Sequence, residues 1–477
     1  MESLRSGVKG ASTRKFKSVL PRITDAIGSL MTGMDTCQME QGEHLTDPME
    51  AEQFVIDATD AFWELGLHPN ERRFFVGKFR GKYLIYLRTA QGSRGAPLSW
   101  AGVFGLICRC VQSLFYLGVG SPTRSKFSTE LQVYVDDPWA VVIGRQRQRD
   151  RFVSLMILAW RIIGVRLAFA KARRGLGVDW IGANIVIKDS STVVASIMEN
   201  RVSEVKYLTA TYGKSNVISI KDLRSYTGKM QSMASLLHTW RPFVAMLWGA
   251  LYSDPSVSKA PSGCVWVSQI SEPLSWFECF LSETKGRNLV RQFCVDSHFN
   301  KGKSIMIYVD ASPYGLGAWL SVDAEPVSYF SDVISSLDCE MLLIAENKGS
   351  AGQQAFEALG LLVAIRLWLP TFKHERITVY LRSDNLSALE MVAKMQPKSK
   401  SLGVVARELA LDLADATYAL DFAQHVAGIT NGIADSLSRK HQPGKRYKVP
   451  EFLCDACEIV AQPRNLKWWR TKSSGKS

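Results

Sequence analysis

Asp136 and Asp137 stand side by side where one apolar run ends and the next begins. Leu131-Gln132-Val133-Tyr134-Val135 reads as a strand and Trp139-Ala140-Val141-Val142-Ile143 as its neighbour, which places the pair at the turn of a hairpin. Asp57 ends a third buried run, Phe54-Val55-Ile56. Adjacent carboxylates repel each other, so an ionised Asp-Asp pair at the edge of a core calls for a cation nearby. Hard oxygen donors with few competing nitrogens suit Mg²⁺. Two such ions about 4 Å apart can hold the attacking and leaving oxygens of a phosphoryl transfer. Asp-Asp-Pro alone is also an ordinary turn.

The same pattern recurs downstream. Asp310 ends the run Ile305-Met306-Ile307-Tyr308-Val309, and Asp384 follows Ile377-Thr378-Val379-Tyr380-Leu381. Glu357 falls on a helix expected over Ala355 to Leu369, and Asp435 opens a short late helix. Singly, Asp384 reads as a turn residue, Glu357 as a solvated helix charge and Asp435 as a helix cap. Converged by folding, they make an oxygen-only site for two Mg²⁺ ions, with Mn²⁺ as a substitute.

At 477 residues the chain has length for about three domains. Its charge of +13 favours polyanionic partners, nucleic acid or lipid, over a bare basic surface only weakly. Nine irregularly spaced cysteines argue against a disulfide framework and for a reducing, intracellular compartment. The Cys454/Cys457 pair lacks the second pair that a structural zinc needs. No apolar core follows Met1, so no secretory signal is read there. The apolar stretch Ala101 to Gly120 carries Arg109 and Gln112, which fits a buried helix better than a membrane span.

Phe54 to Trp63, Gln91 to Trp100 and Tyr134 to Asp137 resemble, in order and spacing, three palm motifs of reverse transcriptases. Gly164 to Lys171 and Trp180-Ile181-Gly182 look like the two that follow, the latter the primer grip, and Leu223 to Leu251 resembles thumb and connection. Ser304 to Arg439 resembles the ribonuclease H domain of retroelements. It includes Gly315-Leu316-Gly317-Ala318-Trp319, His425 to Asn431 and the ending Asn431-Gly432-Ile433-Ala434-Asp435-Ser436-Leu437-Ser438-Arg439. The resemblance implies that Asp57, Asp136 and Asp137 hold the polymerase metals. Phe62 would be the gate against a 2′-hydroxyl, while Asp60, Ala61, Gln91, Gly92 and Lys171 would meet the incoming nucleotide. Arg94, Trp180, Ile181 and Gly182 would contact nucleic acid. Asp310, Glu357, Asp384 and Asp435 would hold the nuclease metals, acting on the RNA of an RNA–DNA hybrid. Phe62 also reads as a core aromatic and Lys171 as a solvated lysine. Ala90 and Ala427 stand where the family usually has proline, and Pro138 removes a backbone donor from the hairpin.

The expected fold is an α+β right-hand polymerase with palm and thumb and truncated fingers, followed by an α/β ribonuclease H-like domain. The divisions fall at 1–50 (fingers remnant), 51–190 (palm), 191–302 (thumb and a less regular connector), 303–442 (ribonuclease H) and 443–477 (basic tail). The expected partners are an RNA template, a DNA primer, RNA–DNA hybrid and dNTPs, with no membrane; oligomeric state is open. The source would be a retrotransposon of the long-terminal-repeat or DIRS-like groups. The resemblance implies fingers strands that clamp the triphosphate and would lie upstream of Met1, an expectation that leaves two rivals, a nuclease-only enzyme and a non-enzymatic nucleic-acid-binding relic. Arg145, Arg147, Arg149 and Arg151, and the Lys467-Trp468-Trp469-Arg470 cluster with Lys472, read either as phosphate- and base-contacting groups or as a solvated helix start and a disordered tail.

Overall fold

The apolar run Trp139–Ile143 has no polar face because its strand is covered on both sides. In the computed structural model, the described residues are 19–40, 47–89, 92–93, 95–117, 127–254, 259–282, 289–344, 352–372, 377–415, 422–425, 431–444 and 446–473. They divide into two units, Met1–Met198 with Val290–His298, and Glu199–Leu289 with Phe299–Ser477.

The first unit runs through α1 (Ile23–Met39), β1 (Glu50–Ala58), a hairpin of β2 (Val76–Phe79) and β3 (Lys82–Ile85), and α2 (Ala96–Ser113). It continues with β4 (Thr129–Tyr134), β5 (Asp137–Gly144), α3 (Gln146–Ile163) and β6 (Leu167–Gly175). The central sheet has the order β4-β5-β1-β6. On one side Ala140 and Val142 of β5 share a core with Phe54, Ile56, Trp100, Phe104, Met156 and Trp160. On the other side α1 lies so close that a Cβ on Gly33 would meet Ile143 at 3.0 Å and Val141 at 3.4 Å. Residues 23–39, within the segment 1–50 expected as a fingers remnant, are therefore a core helix of this sheet. Helix α2 buries Trp100, Phe104, Cys108 and Val111 but exposes Val103 and Leu106, so the expectation of a buried helix holds for one face only.

A second sheet follows: β7 (Gly177–Trp180), β8 (Ala183–Asp189), β9 (Thr192–Ile197) and a returning strand β10 (Val290–Cys294), ordered β10-β9-β8-β7. The boundary expected at 190 falls inside the β8–β9 hairpin, and residues 290–298 return to the first unit. The pairing of Val290 with Ser196 through Cys294 with Thr192 joins segments far apart in sequence.

The second unit opens with α4 (Glu199–Gly213), α5 (Ile220–Leu236), α6 (Arg241–Leu251) and α7 (Ser271–Leu281). Pro242 sits at the start of α6, where its missing N–H costs nothing. The supposedly irregular connector contains α7, whose Trp276, Phe277 and Phe280 pack on Trp240 and Phe243.

A mixed sheet completes this unit. Strands β11 (Lys303–Ser312), β12 (Gly315–Val322) and β13 (Glu325–Asp332) form an antiparallel meander. Against β11 lies β14 (Ile377–Ser383), parallel, followed by β15 (Phe422–His425); a two-residue β16 (Cys457–Glu458) adds to β13. Helix α8 (Gln353–Trp368) covers the sheet, α9 (Lys400–Asp415) packs on it, and α10 (Gly432–Ser438) lies on β11 and β12. The segment Gln353–Phe372 is long and apolar enough to cross a membrane, yet it is 72% buried inside this core. The expected basic tail is part of the unit: Leu453 and Trp469 are fully buried, and Trp468 packs on the same core as Trp469.

The glycine-rich β12 exists for a steric reason. A Cβ on Gly317 would lie 2.2 Å from Ser438 N and 2.6 Å from Ala434 O, so only glycine lets α10 rest on the strand. Gly317→Ala is expected to push α10 away and to cost about 3 kcal/mol, the upper end for overpacking against unyielding backbone. The thermal midpoint should fall by roughly 6 °C. An unchanged midpoint would show that α10 is not tightly docked.

Candidate functional sites

In the first unit the β1–β5 register pairs Val55 with Trp139, and two residues further it sets Asp57 opposite Asp137. The Ala58 amide donates to Asp136 O at 2.9 Å, which closes the strand ends together. Tyr134 pairs with Asp137 across a two-residue turn, and its first residue, Val135, has φ +60°. A β-branched residue in the left-handed region costs on the order of 1–3 kcal/mol, the kind of strain that the surrounding strands must hold in place. The Trp180 indole donates to Asp137 O at 3.0 Å from below.

Electrostatics follow from this clustering. Burial, then Asp57 and Asp136, push the Asp137 carboxyl up to about 7. Burial and Asp57 also raise Asp136. The compensating charge is Lys171, whose Nζ sits 2.5 Å from Asp57 Oδ2. Strand β6 aims it there: Val55 pairs with Arg173 but Asp57 with Ala168, so residues 169–172 bulge out of register. Lys171 is thereby a partner of the acidic group, and its own pKa is raised mainly by the bond to Asp57.

The other residues singled out in this unit divide. Asp60 has φ +54° and pairs with Arg166 at 3.6 Å. Ala61 is buried, and Phe62 is half-buried against the same core. Gly92 is exposed at φ +84°. Gln91 and Arg94, with Ala90 and residues 426–430, lie outside the described residues. Ile181 (φ +41°) and Gly182 (φ +89°) form the two-residue turn of the β7–β8 hairpin. Trp180 is 1% exposed and packs on Trp139, so its ring supports the aspartate turn and has no face to offer a base. Arg149 is buried, bonded to Glu50, Glu52 and Gly144 O, whereas Arg145, Arg147 and Arg151 are exposed.

In the second unit, separate elements deliver carboxylates to one place. Asp310 lies near the end of β11 and Asp384 just past the end of the parallel neighbour β14. The register Tyr308–Arg382, continued by two residues, sets them side by side. Glu357 comes from the second turn of α8, which approaches β11 closely because residue 360 is glycine: a Cβ there would meet Val309 at 2.8 Å. Asp310, Glu357 and Asp384 each offer an oxygen within 4.8 Å of the others, and this is the only such group among the described residues. Asp435 raises the Asp310 pKa but lies outside that group, ion-paired to Arg439 at 2.7 Å.

Polar neighbours hold these groups in place. Ser438 Oγ donates to Asp310 Oδ2 at 2.7 Å, and Gln353 Nε2 donates to Glu357 Oε1 at 3.0 Å. Asn431 Nδ2 donates to Val309 O, tying the start of α10 to β11. Gln353 was not legible as a site residue, because a lone polar residue at a helix start carries no signal. Ser438 and Asn431 sit in the recognised ending without an assigned role.

Burial is the main reason Asp310 rises to about 7 and Glu357 to about 8, with neighbouring carboxylates adding to it. Three buried or clustered carboxylates with an all-oxygen donor set fit a hard divalent cation. Both pKa values lie above those of an unfolded chain. The folded state therefore holds extra protons between about pH 4 and 8, and its stability falls as pH rises through that window. Without a divalent ion the melting temperature should be about 5 °C lower at pH 8 than at pH 5. Asp310→Asn with Glu357→Gln should flatten that slope, and Mg²⁺ should raise the midpoint more at pH 8 than at pH 5. Equal slopes with and without the substitutions would remove these carboxyls as the cause.

No family model and no curated protein matches the chain. Among solved structures it is similar to a foamy viral protease–reverse transcriptase in complex with double-stranded DNA (13% identity, 87% of this chain and 72% of that one, TM-score 0.39). It is also similar to a foamy viral protease–reverse transcriptase with an RNA/DNA hybrid (12%, 79% and 44%, TM-score 0.37) and to a dRH form with double-stranded DNA (13%, 79% and 56%, TM-score 0.38). The chain thus spans about half the length of the latter two.

Proposed function

We propose that the chain is an RNA-directed DNA polymerase with ribonuclease H activity, from a retroelement. The observation that carries this reading is the meeting of Asp310, Glu357 and Asp384, from three separate elements, within 4.8 Å in a largely buried site. Buried carboxylates with no cation to pair with are costly and rare. The Asp57–Asp136–Asp137 cluster supports the polymerase half. It couples a strained turn, raised Asp136 and Asp137 carboxyls and a lysine at one strand end.

A divalent cation, Mg²⁺ or Mn²⁺, when bound supplies positive charge against the charge that develops on the phosphorus centre. Asp310, Glu357 and Asp384 would hold it in the second unit, and Asp57, Asp136 and Asp137 in the first. The rest is done by the chain. Ser438 and Gln353 fix the orientation of Asp310 and Glu357. Asp435, on the docked α10, stands beside this group with Arg439 as its counter-ion. In the first unit Lys171 neutralises Asp57, and Phe62, held against the core, would serve as the gate against a 2′-hydroxyl. The nuclease substrate is the RNA of a hybrid, told from DNA by its 2′-hydroxyl.

One observation favours a second reading, a nuclease alone. The nuclease carboxylates converge, whereas Asp57 is engaged by Lys171 and the first-unit trio does not meet as closely. Primer extension on an RNA template with dNTPs and Mg²⁺, run beside cleavage of labelled RNA in a hybrid, separates the cases. Both activities are expected. Cleavage alone selects the second reading. Salt-sensitive binding with neither activity leaves only a nucleic-acid-binding relic.

A further inference from the structure

The β2–β3 hairpin is exposed on both faces among the described residues. Its large apolar side chains are in the open, Phe79 60% exposed and Tyr83 73%, and Phe74, just before β2, is 56% exposed. An isolated two-stranded hairpin is marginal in water, and contiguous exposed apolar surface of this kind marks a binding face. The segment from Arg72 to Arg88 also carries six cations, Arg72, Arg73, Lys78, Arg80, Lys82 and Arg88, and no acidic residue.

Charge and rings are interleaved by register. Lys78 pairs directly with Tyr83 and Phe79 with Lys82, so each face of the hairpin presents one ring beside one lysine. Arg73 lies 4.8 Å from the Phe74 ring centre, Arg80 5.2 Å from Phe79 and Lys78 5.8 Å from Tyr83. The base of the hairpin is fixed. Leu67 N donates to Leu87 O and Thr89 N to Leu65 O, both at 2.9 Å, and the Trp63 and Tyr86 rings stack at 5.8 Å. It is therefore anchored to the turn Ala61–Glu64, only a few residues after Asp57.

We infer that this hairpin is a docking surface for single-stranded nucleic acid, with Lys78, Arg80 and Lys82 on the phosphates and Phe79 and Tyr83 stacking on unpaired bases. Alternating cations and open rings match a strand that offers phosphates and base faces in turn. A neutral protein or lipid surface would use the apolar area but leave Lys78, Arg80 and Lys82 without counterpart, and an anionic one would offer the rings no base faces to stack on. The inference rests on the nucleic-acid reading above and specifies where the unpaired strand lies.

The test measures anisotropy of fluorescein-labelled oligo(dT) and oligo(rU) with the full chain across a salt series. Two variants are compared, Lys78→Gln/Arg80→Gln/Lys82→Gln and Phe79→Ala/Tyr83→Ala; all five side chains are exposed, so both should fold. The charge variant is expected to bind more weakly and to lower the salt slope by about 2, near 0.7 for each phosphate no longer neutralised. The ring variant is expected to bind about tenfold or more weakly with the slope unchanged. Hybrid RNA cleavage by an unsubstituted chain that binds, with both variants binding equally well, overturns the hairpin and leaves the broader reading standing. An unsubstituted chain that neither binds, extends nor cleaves overturns both. Variants that bind normally but change the mass in solution assign the face to a protein contact and also overturn the inference.

Discussion

Asp310→Asn should abolish cleavage of hybrid RNA, by about 10³-fold or more, and leave primer extension within about twofold of the unsubstituted chain; Asp136→Asn should do the reverse. The two carboxylates lie in different units and different sheets, each with its own acidic neighbours. The Asn substitution at 310 keeps size and shape, and Ser438 can still bond to the amide, so the core around β11 and α10 is preserved. What disappears is one negative oxygen from the trio with Glu357 and Asp384. At 136 the main-chain bond from Ala58 N to the residue's carbonyl survives any side-chain change, so the hairpin turn should hold. Melting curves of both variants, run beside the two assays, check that assumption. Loss of both activities from either single change, in folded protein, would refute two independent centres. A surviving cleavage activity in Asp310→Asn would move the nuclease chemistry away from this trio.

The strand ends bearing Asp57, Asp136, Asp137, Asp310 and Asp384 were legible because each follows an apolar run long enough to be a buried strand and stops at a charge. Local pattern could say that much. It could not say that β10 returns to pair with β9, since the hydrogen bonds between Val290–Cys294 and Thr192–Ser196 have no local signature. The helix Ser271–Leu281 was hidden for a related reason: its many rings serve a cluster with Trp240 and Phe243 that only the fold brings together. Composition misled at the C-terminal end. Basic residues next to tryptophans suggest a solvated or nucleic-acid-tracking tail, yet Trp469 is fully buried and Trp468 lies under the Arg366 guanidinium at 4.2 Å. The neighbouring charges are engaged: Arg470 reaches Asp412 at 2.9 Å, and Glu408 accepts from Arg366 and Thr471. At the sites themselves the carboxylates were readable, but the groups that aim them were not. Lys171 owes its place on Asp57 to a bulge in β6, which a sequence pattern does not display.

Arg464→Met should therefore lower stability by about 3–5 kcal/mol, the usual cost of leaving a buried charge without its partner. The Arg464 side chain is 4% exposed and Asp338 is fully buried. Its Nε lies 3.0 Å from both Asp338 oxygens, and its other nitrogens reach Asp332 and Val333 O. Methionine fills much of the same volume, so the loss reads as charge and hydrogen bonding more than cavity. Asp338 keeps its bonds from Ser335 N and Oγ but becomes an uncompensated buried anion. The thermal midpoint should drop by roughly 6–10 °C, while exposed Lys467→Met should move it by less than about 1 °C. Asp338→Asn added to Arg464→Met should recover part of the loss, because the orphaned charge is then gone. The effect should also reach the nuclease site. Arg464 grips Asp332 at the end of β13, Asp332 pairs with Leu316 on β12, and β12 is the strand on which α10 seats Asp435 and Ser438. Hybrid cleavage at 25 °C should fall with the midpoint in Arg464→Met and return with it in the double variant. A variant that melts and cleaves like the unsubstituted chain would show that the terminal segment is an appendage and that the sheet stands without it.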